Sequence, residues 1–269
     1  MTIESHLPSR YEIRTLGPEH AEWAKAIVSH SNLFASPVWS QIYRQDATQR
    51  CYDLFRTADY LVDHQIDSGL SLGIFDKEYK FKQPASAATG GKLYWKLDDA
   101  SAGGKELLEQ MDFPLVSVAL AYDSINALDL EKLTPMIAAL PPLLIAFKLL
   151  EERDEREPSS WKATGPAQVL FRNATATKVG EEGHGFMKLL ARYMMRKSAA
   201  EGWKGIQIEC AHDAVTHVWS KPPSPFKGEA VSRFNCDTYE HKDEEGRTTF
   251  PFQPATQELV KVYVHLTPS

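Results

Sequence analysis

The chain has 269 residues, 43% hydrophobic and 25% charged, with a net charge of -6, a composition able to bury a full core and one that favours neither nucleic acid nor an anionic membrane. Three well-separated cysteines, Cys51, Cys210 and Cys236, show no disulfide or zinc spacing and point to a reducing, cytoplasmic setting. "MTIESHLPSR" lacks the order of a secretion signal, and the most apolar run, "LPPLLIAFKLL", is short and carries Lys148, which excludes a membrane span.

A strand is expected at Tyr11 to Thr15, then a helix opened by Pro18 with Ala21, Ala24, Ile27 and Val28 on its apolar face. Ser36 as cap and Pro37 at a first turn predict an irregular helical segment through Val62. "LSLGIF" and "LVSVALAY" (Leu115 to Tyr122) read as strands. Between them, "KQPASAATGGKLYW" and "DASAGGK" have the density of Gly, Ser and Ala found in loops, either mobile or covering a site. Leu128 to Glu152 is helical in composition, broken at Pro141-Pro142, and runs into "EERDEREP", read as a solvated helix end.

The most regular stretch follows. "AQVLFRNATATKV" predicts a strand, "GEEGHG" a glycine turn, Gly185 to Ala200 a helix and "KGIQIEC" a second strand. Phe186, Leu189, Leu190, Tyr193 and Met194 follow the helical i, i+3, i+4, i+7, i+8 pattern, and Gly202 stops the helix. This order is that of a βαβ unit. The tail gives two more strands, "EAVSRFNCDTYE" and "QELVKVYVHL", joined by a polar loop.

A glycine turn at a helix start gathers unpaired backbone N–H groups at the positive end of the helix dipole, which makes an anion site. The order G-x-x-G-x-G from Gly180 to Gly185 is the reverse of the dinucleotide fingerprint, and no Lys-Ser/Thr follows as in a triphosphate loop. The remaining ligand type is the pyrophosphate of coenzyme A. A turn that serves only to reverse the chain, with the helix as ordinary core, stays open beside it.

On these residues the sequence resembles the GNAT family of acyl-CoA-dependent N-acyltransferases. Gly183-His184-Gly185 matches the second half of the family's phosphate motif, with Gly180 where a Gln or Arg is usual. "EGWKGIQIEC" is similar to the family's following helix end and strand. "HDAVTHVW" lies where the family has N-x-x-A-x-x-L-Y, which puts His212 at the Asn position and Trp219 at the Tyr position. The match is best over Ala167 to Trp219, and the whole pattern looks like a fungal branch of the family, with Ser124 to Gly165 as an unusual helical insertion.

The resemblance implies an α/β (layered α+β) fold: a single GNAT-like domain over 1–269, its mixed, mostly antiparallel twisted sheet flanked by helices, with the helical insertion at 124–165 covering the cleft or making a homodimer contact. It implies acetyl-CoA as co-substrate, held by Thr175, Ala176 and Thr177 of the strand and by Glu181, Glu182, Gly183, His184, Gly185 and Phe186 of the turn. It implies direct attack of a primary amine on the thioester, with a small-molecule amine or a peptide as acceptor and no metal.

For the chemistry, Glu209 is the candidate base, on the opposite strand face from Ile206 and Ile208; an exposed glutamate paired with a lysine explains it equally well. His212 and His217 are the other candidates, His212 favoured for its place just after the strand, although a structural histidine is the commoner case, with Asp213 as cap of the next helix. Because an indole N–H is no acid near neutral pH, Tyr239 or water would have to supply the proton in place of Trp219. Trp39, Tyr43, Trp95 and Tyr239 are candidate walls of the acceptor site. A GNAT-like protein that binds acyl-CoA as a scaffold, with little or no turnover, is the alternative.

Overall fold

The computed structural model describes residues 7–243 and 245–267. Seven strands form one sheet: β1 (Tyr11–Thr15), β2 (Leu72–Asp76), β3 (Leu115–Asp123), β4 (Val169–Thr177), β5 (Gly205–Cys210), β6 (Lys227–Asn235) and β7 (Glu258–His265). Their order is β1-β2-β3-β4-β5-β7-β6. Every neighbouring pair is antiparallel except β4 and β5, which run parallel. That exception is forced by the helix between them, since only a crossover brings the next strand back in the same direction.

One face of the sheet carries α1 (Ala21–Phe34), α2 (Ala47–Thr57) and α3 (Asp59–Asp67). Pro18 sits at the first position of a 3-10 turn that leads into α1. Ala24, Ile27 and Val28 then pack on Phe75, Val118 and Leu120. The Ser36 hydroxyl caps the next turn, accepting from the N–H groups of Val38 and Trp39. Between β3 and β4 lie α4 (Leu130–Ala139) and α5 (Pro142–Glu152). Asp129 caps α4, and Pro142 opens α5, so the proline pair separates two helices as its missing N–H groups require.

The opposite face carries α6 (Phe186–Ala200) and α7 (Asp213–Ser220). Phe186, Leu190, Met194 and Met195 of α6 pack with Ile206 and Ile208 of β5 and with Val262 of β7. Gly202, at φ 87°, ends α6 in the left-handed conformation that glycine adopts without penalty.

Two expectations from composition are corrected. The stretch rich in Gly, Ser and Ala before β3 is ordered: Pro84–Thr89 and Gly104–Glu109 are short helices, and Lys92–Leu93 pairs with Met111–Asp112. A proline at the first helical position and a left-handed Gly90 at the end are enough to close the first of these helices.

The charge run "EERDEREP" is also only partly solvated. The Asp154 carboxylate is 3% exposed and meets Lys261 Nζ at 3.0 Å and Arg156 Nη2 at 2.7 Å, with Lys261 itself 4% exposed. The lysine ammonium and the Arg156 guanidinium both lie near Trp161, at 5.0 and 4.7 Å from its ring centre. Composition shows seven charged residues and a proline; only the fold shows that two of them join Lys261 in an ion triad over the sheet. Burial opposes ionisation of Asp154, but the hydrogen bonds from Arg156 and Lys261 outweigh it and hold its pKa at about 2.

Asp154→Ala leaves two cations without their shared anion, and a loss of about 3–5 kcal/mol is expected in chemical denaturation. Because the folded pKa lies below the ordinary 3.8, this stabilisation is complete above that value and is lost as pH falls toward about 2.

Candidate functional site

The parallel ladder between β4 and β5 is short. Val169, Leu170, Phe171 and Arg172 pair with Gly205, Ile206, Gln207 and Ile208, and beyond Arg172 the strands diverge. β4 bends where its register against β3 shifts between Ala119 and Ala121, and Ala174 there adopts φ 61°. A non-glycine residue in this region costs roughly 1–2 kcal/mol, so the surrounding structure must hold it. The extra residue also breaks side-chain alternation: Arg172 and Thr175, three apart, meet on the α6 face, where Arg172 Nη2 donates to Thr175 Oγ1.

A cavity of about 980 Å³ occupies the opening. On the α6 side its wall includes Gly183, Gly185, Phe186, Met187, Arg172 and Thr175. On the other side stand Tyr122, Phe171, Trp39 and Glu209, and helices α4 and α5 close it with Leu133, Met136, Leu140 and Leu150. Side chains between Ser124 and Ala163 thus form part of the cavity wall. None of residues 82–105 borders it.

Along the free edge of β4, backbone donors are arranged by alternation. Lys178 N–H donates to Val116 O of β3 at 2.8 Å, so the N–H groups of Thr177 and, next but one, Thr175 face the diverging β5. Ala176 turns its side chain to the α1 core. The strand positions expected to line a ligand, Thr175, Ala176 and Thr177, all border the cavity.

In the turn, Gly180, Gly183 and Gly185 have φ of 90°, 85° and 75°, a run that only glycines adopt without strain. Gly185 caps α6 without a side-chain hydrogen bond, and no acidic residue occupies the helix's first turn. The leading N–H groups of α6 are thus left for an anion. The two glutamates do not both turn to solvent. Glu182 folds back and accepts the Gly180 N–H at 2.6 Å, and Glu181 Oε2 lies 3.4 Å from His184 Nδ1 and 3.5 Å from the Tyr11 hydroxyl. His184 itself is exposed and does not border the cavity.

Glu209 does border it. In register Glu209 stands opposite Lys261, so a lysine partner is at hand, yet the Lys261 ammonium is committed to Asp154. Among the described residues Glu209 has no ion pair; its hydrogen bond, from Gln207 Nε2, is long at 3.5 Å. Burial pushes its pKa above the ordinary carboxylate value, against the nearby lysine charge. Burial and the Glu209 charge together push the Tyr122 phenol upward too, which places that hydroxyl as a neutral donor on the same side of the sheet.

The other candidates fare differently. His212 borders the cavity, but its Nδ1 accepts the Ala214 N–H at 3.0 Å and so caps α7. The capping role expected of Asp213 belongs to His212, while Asp213 accepts from Gln257. Tyr239 lies outside the cavity wall, packed on Phe234 and Phe252 with its hydroxyl 3.4 Å from His241 Nδ1, and so is not placed to supply a proton. Of the expected acceptor aromatics only Trp39 borders the space; Trp95 donates to Leu107 O, and Tyr43 stacks beneath Arg50. Arg172 and Tyr122 also border the cavity, and neither belongs to a motif in the sequence. An arginine inside the apolar run "VLFRNA" was the visible signal for the first; nothing marks the second.

No family model matches the sequence, and no curated protein matches it. Solved structures do. The C-terminal condensation domain of Ebony, in complex with beta-alanyl-dopamine, superposes at TM-score 0.59 with 15% identity over 94% of this chain and 97% of that one. Arylalkylamine N-acetyltransferase 2 from Aedes aegypti gives 0.55 and 12% over 96% and 100%, and mosquito arylalkylamine N-acetyltransferase like 5b gives 0.51 and 13% over 94% and 98%. The chain has the fold of the GNAT acetyltransferases.

Because Ala174 is held against its conformational preference at the point where the strands part, Ala174→Gly is expected to raise stability by up to about 1 kcal/mol and Ala174→Val to lower it by about 1–2 kcal/mol in chemical denaturation.

Proposed function

We propose that the protein is an acyl-CoA-dependent N-acyltransferase that transfers acetyl from acetyl-CoA to a primary amine with an apolar body. The observation that carries this is the unpaired Glu209 carboxylate in a cavity that opens, through the parted β4 and β5, onto the free helix N-terminus of the glycine turn. A carboxylate that recognises an ammonium and a distant anion cradle are the two ends such a reaction needs.

The turn from Glu181 to Phe186 would hold the pyrophosphate, and the free edge of β4 would pair with the pantetheine arm as an added strand does. Glu209 would remove a proton from the ammonium, its raised pKa bringing its basicity nearer to neutral pH. The N–H groups of Thr175 and Thr177 would donate to the oxygen of the thioester as negative charge develops there. The apolar helices α4 and α5 and the ring of Phe171 shape a space for an alkyl or aryl group beside that carboxylate. The structural neighbours, arylalkylamine acetyltransferases and a domain in complex with beta-alanyl-dopamine, support an amine of this kind. Closure by α4 and α5 favours a small molecule over a peptide. No helix among the described residues is long and apolar enough to cross a membrane.

Release of coenzyme A thiol from acetyl-CoA is expected with arylalkylamines and absent without amine. Glu209→Gln should lower kcat by about 10²–10⁴ while leaving coenzyme A binding intact. In the parent protein kcat/KM should fall as pH drops through a value above the ordinary carboxylate pKa, since only the ionised form accepts a proton. Acetyl-CoA that raises the melting temperature with no turnover across the amine panel would instead establish a binding or scaffold role.

The cradle has its own test by calorimetry with coenzyme A. Gly185→Asp is expected to weaken binding at least about tenfold, as left-handed strain of roughly 1–2 kcal/mol joins charge repulsion. Glu182→Ala frees the Gly180 N–H and should tighten binding, and Glu181→Ala should leave it unchanged or tighter.

A further inference from the structure

We infer that Arg172 is a catalytic cation that holds the leaving thiolate of coenzyme A, with the Trp219 indole N–H as the second donor; the inference rests on the acyl-CoA reading above. Arg172 is the last residue of β4 paired to β5, so it stands at the apex where the strands part, and it borders the cavity. It is 2% exposed. Its surroundings are the Met194 sulfur at 3.3 Å from Nη1, the Thr175 hydroxyl and the Trp219 ring with its centre 5.5 Å away. Among the described residues no carboxylate forms an ion pair with it. The nearby Cys210 thiol is kept protonated by burial.

Such a cation costs stability. A buried charge without a counter-ion is strongly unfavourable, and an apolar side chain of similar volume would serve packing better. The donors left over are specific as well: Arg172 Nε and Trp219 Nε1 are both buried and have no hydrogen-bond partner. An unused guanidinium N–H on a side chain that lines the cavity, with an unused indole N–H packed behind it, is complementary to a soft anion that arrives with a ligand.

The reaction produces one anion on this side of the sheet. As the amine nitrogen bonds to the thioester carbonyl carbon, the carbon–sulfur bond breaks and its electron pair passes to sulfur. Glu209 takes one proton from the ammonium, and the proton that leaves the new amide nitrogen ends on sulfur. Atoms and charge balance without a further reagent. The oxygen of the thioester is served by the β4 N–H groups and the pyrophosphate by the turn, which leaves sulfur for Arg172. An indole cannot release a proton, but beside a fixed guanidinium the sulfur departs as a thiolate and takes up the amide nitrogen's proton afterwards.

The test is a pH titration of bound coenzyme A followed by the ultraviolet absorbance of its thiolate, with desulfo-coenzyme A as the control ligand. In the parent protein the bound thiol should ionise at least about one pKa unit below free coenzyme A, and coenzyme A should bind about tenfold more tightly than the desulfo analogue where the thiolate forms. Arg172→Met should return the thiol to its free value, abolish that discrimination and lower kcat by about 10²–10³, with desulfo-coenzyme A binding unchanged; Arg172→Lys should restore part of the shift, and Trp219→Phe should lose part of it.

A bound thiol that titrates like the free one in the parent protein overturns the inference, as does an Arg172→Met variant with unchanged kcat. A parent preference for succinyl-CoA over acetyl-CoA that Arg172→Met removes would assign the cation to an acyl carboxylate and overturn it too. Should Arg172→Met not fold, the titration of the parent protein decides alone. Failure of the parent to bind either ligand would instead remove the acyl-CoA reading on which the inference stands.

Discussion

Two parallel strands that hydrogen-bond for only four residues are the constraint on which the rest of this structure depends. A sheet normally satisfies every interior N–H and C=O by continuing its ladder. Here β4 and β5 stop pairing after Arg172 and Ile208, and the chain compensates at each side of the gap. The neighbours β3 and β7 stay paired with β4 and β5 along their outer edges, so the sheet remains one body while its middle opens. The strained Ala174 marks the bend. What the opening leaves unpaired, a row of β4 backbone donors, is also what an extended ligand would use.

The segment between β3 and β4 completes that opening on the Glu209 side. Helices α4 and α5 are held by hydrogen bonds, from Arg50 Nη1 to Ala139 O and from Ser232 Oγ to Leu150 O, as well as by apolar contacts. The Asp154 carboxylate ties the end of α5 to Lys261 on β7. That bond does two things at once. It fixes the roof of the cavity, and it takes the lysine that stands opposite Glu209 in register. A glutamate that would otherwise be a neutralised strand residue is left half-buried, with its charge unshared.

Much of this fold can be read from the sequence, and the reasons are local. The β4–turn–α6–β5 unit declares itself because its signals are short-range: the alternation of the strand, glycines where φ must be positive, and a helical period that ends at Gly202. Glu209 was legible through strand parity alone. Tyr239 was misplaced because its role depended on where a long polar connection returns, which no local pattern encodes. His212 was found at the right place with another duty, since an imidazole nitrogen can cap a helix as well as accept a catalytic proton. The Asp154 triad joins residues 154 and 261, and no spacing rule relates two positions so far apart. Glycine and serine density misled before β3, where proline at a helix start outweighed it.

The two charged groups at the parted strands sit on opposite faces of the same sheet and carry opposite signs. Glu209 lies with the apolar helices α4 and α5, and Arg172 lies with α6 and α7. Neither has an ion-pair partner among the described residues, and their strands' last paired positions, Arg172 and Ile208, hold them one residue apart along the ladder. Arg172, buried without a counter-ion, costs the fold stability, and the half-buried Glu209 costs it less. Aminolysis of a thioester needs this polarity: a proton acceptor where the nitrogen enters and positive charge where the sulfur departs. A cleft that only bound coenzyme A would need the turn and the β4 edge; it would have no use for a carboxylate on one face and a guanidinium on the other. The two unpartnered charges of opposite sign are therefore what supports the proposal that this opening serves transfer as well as binding.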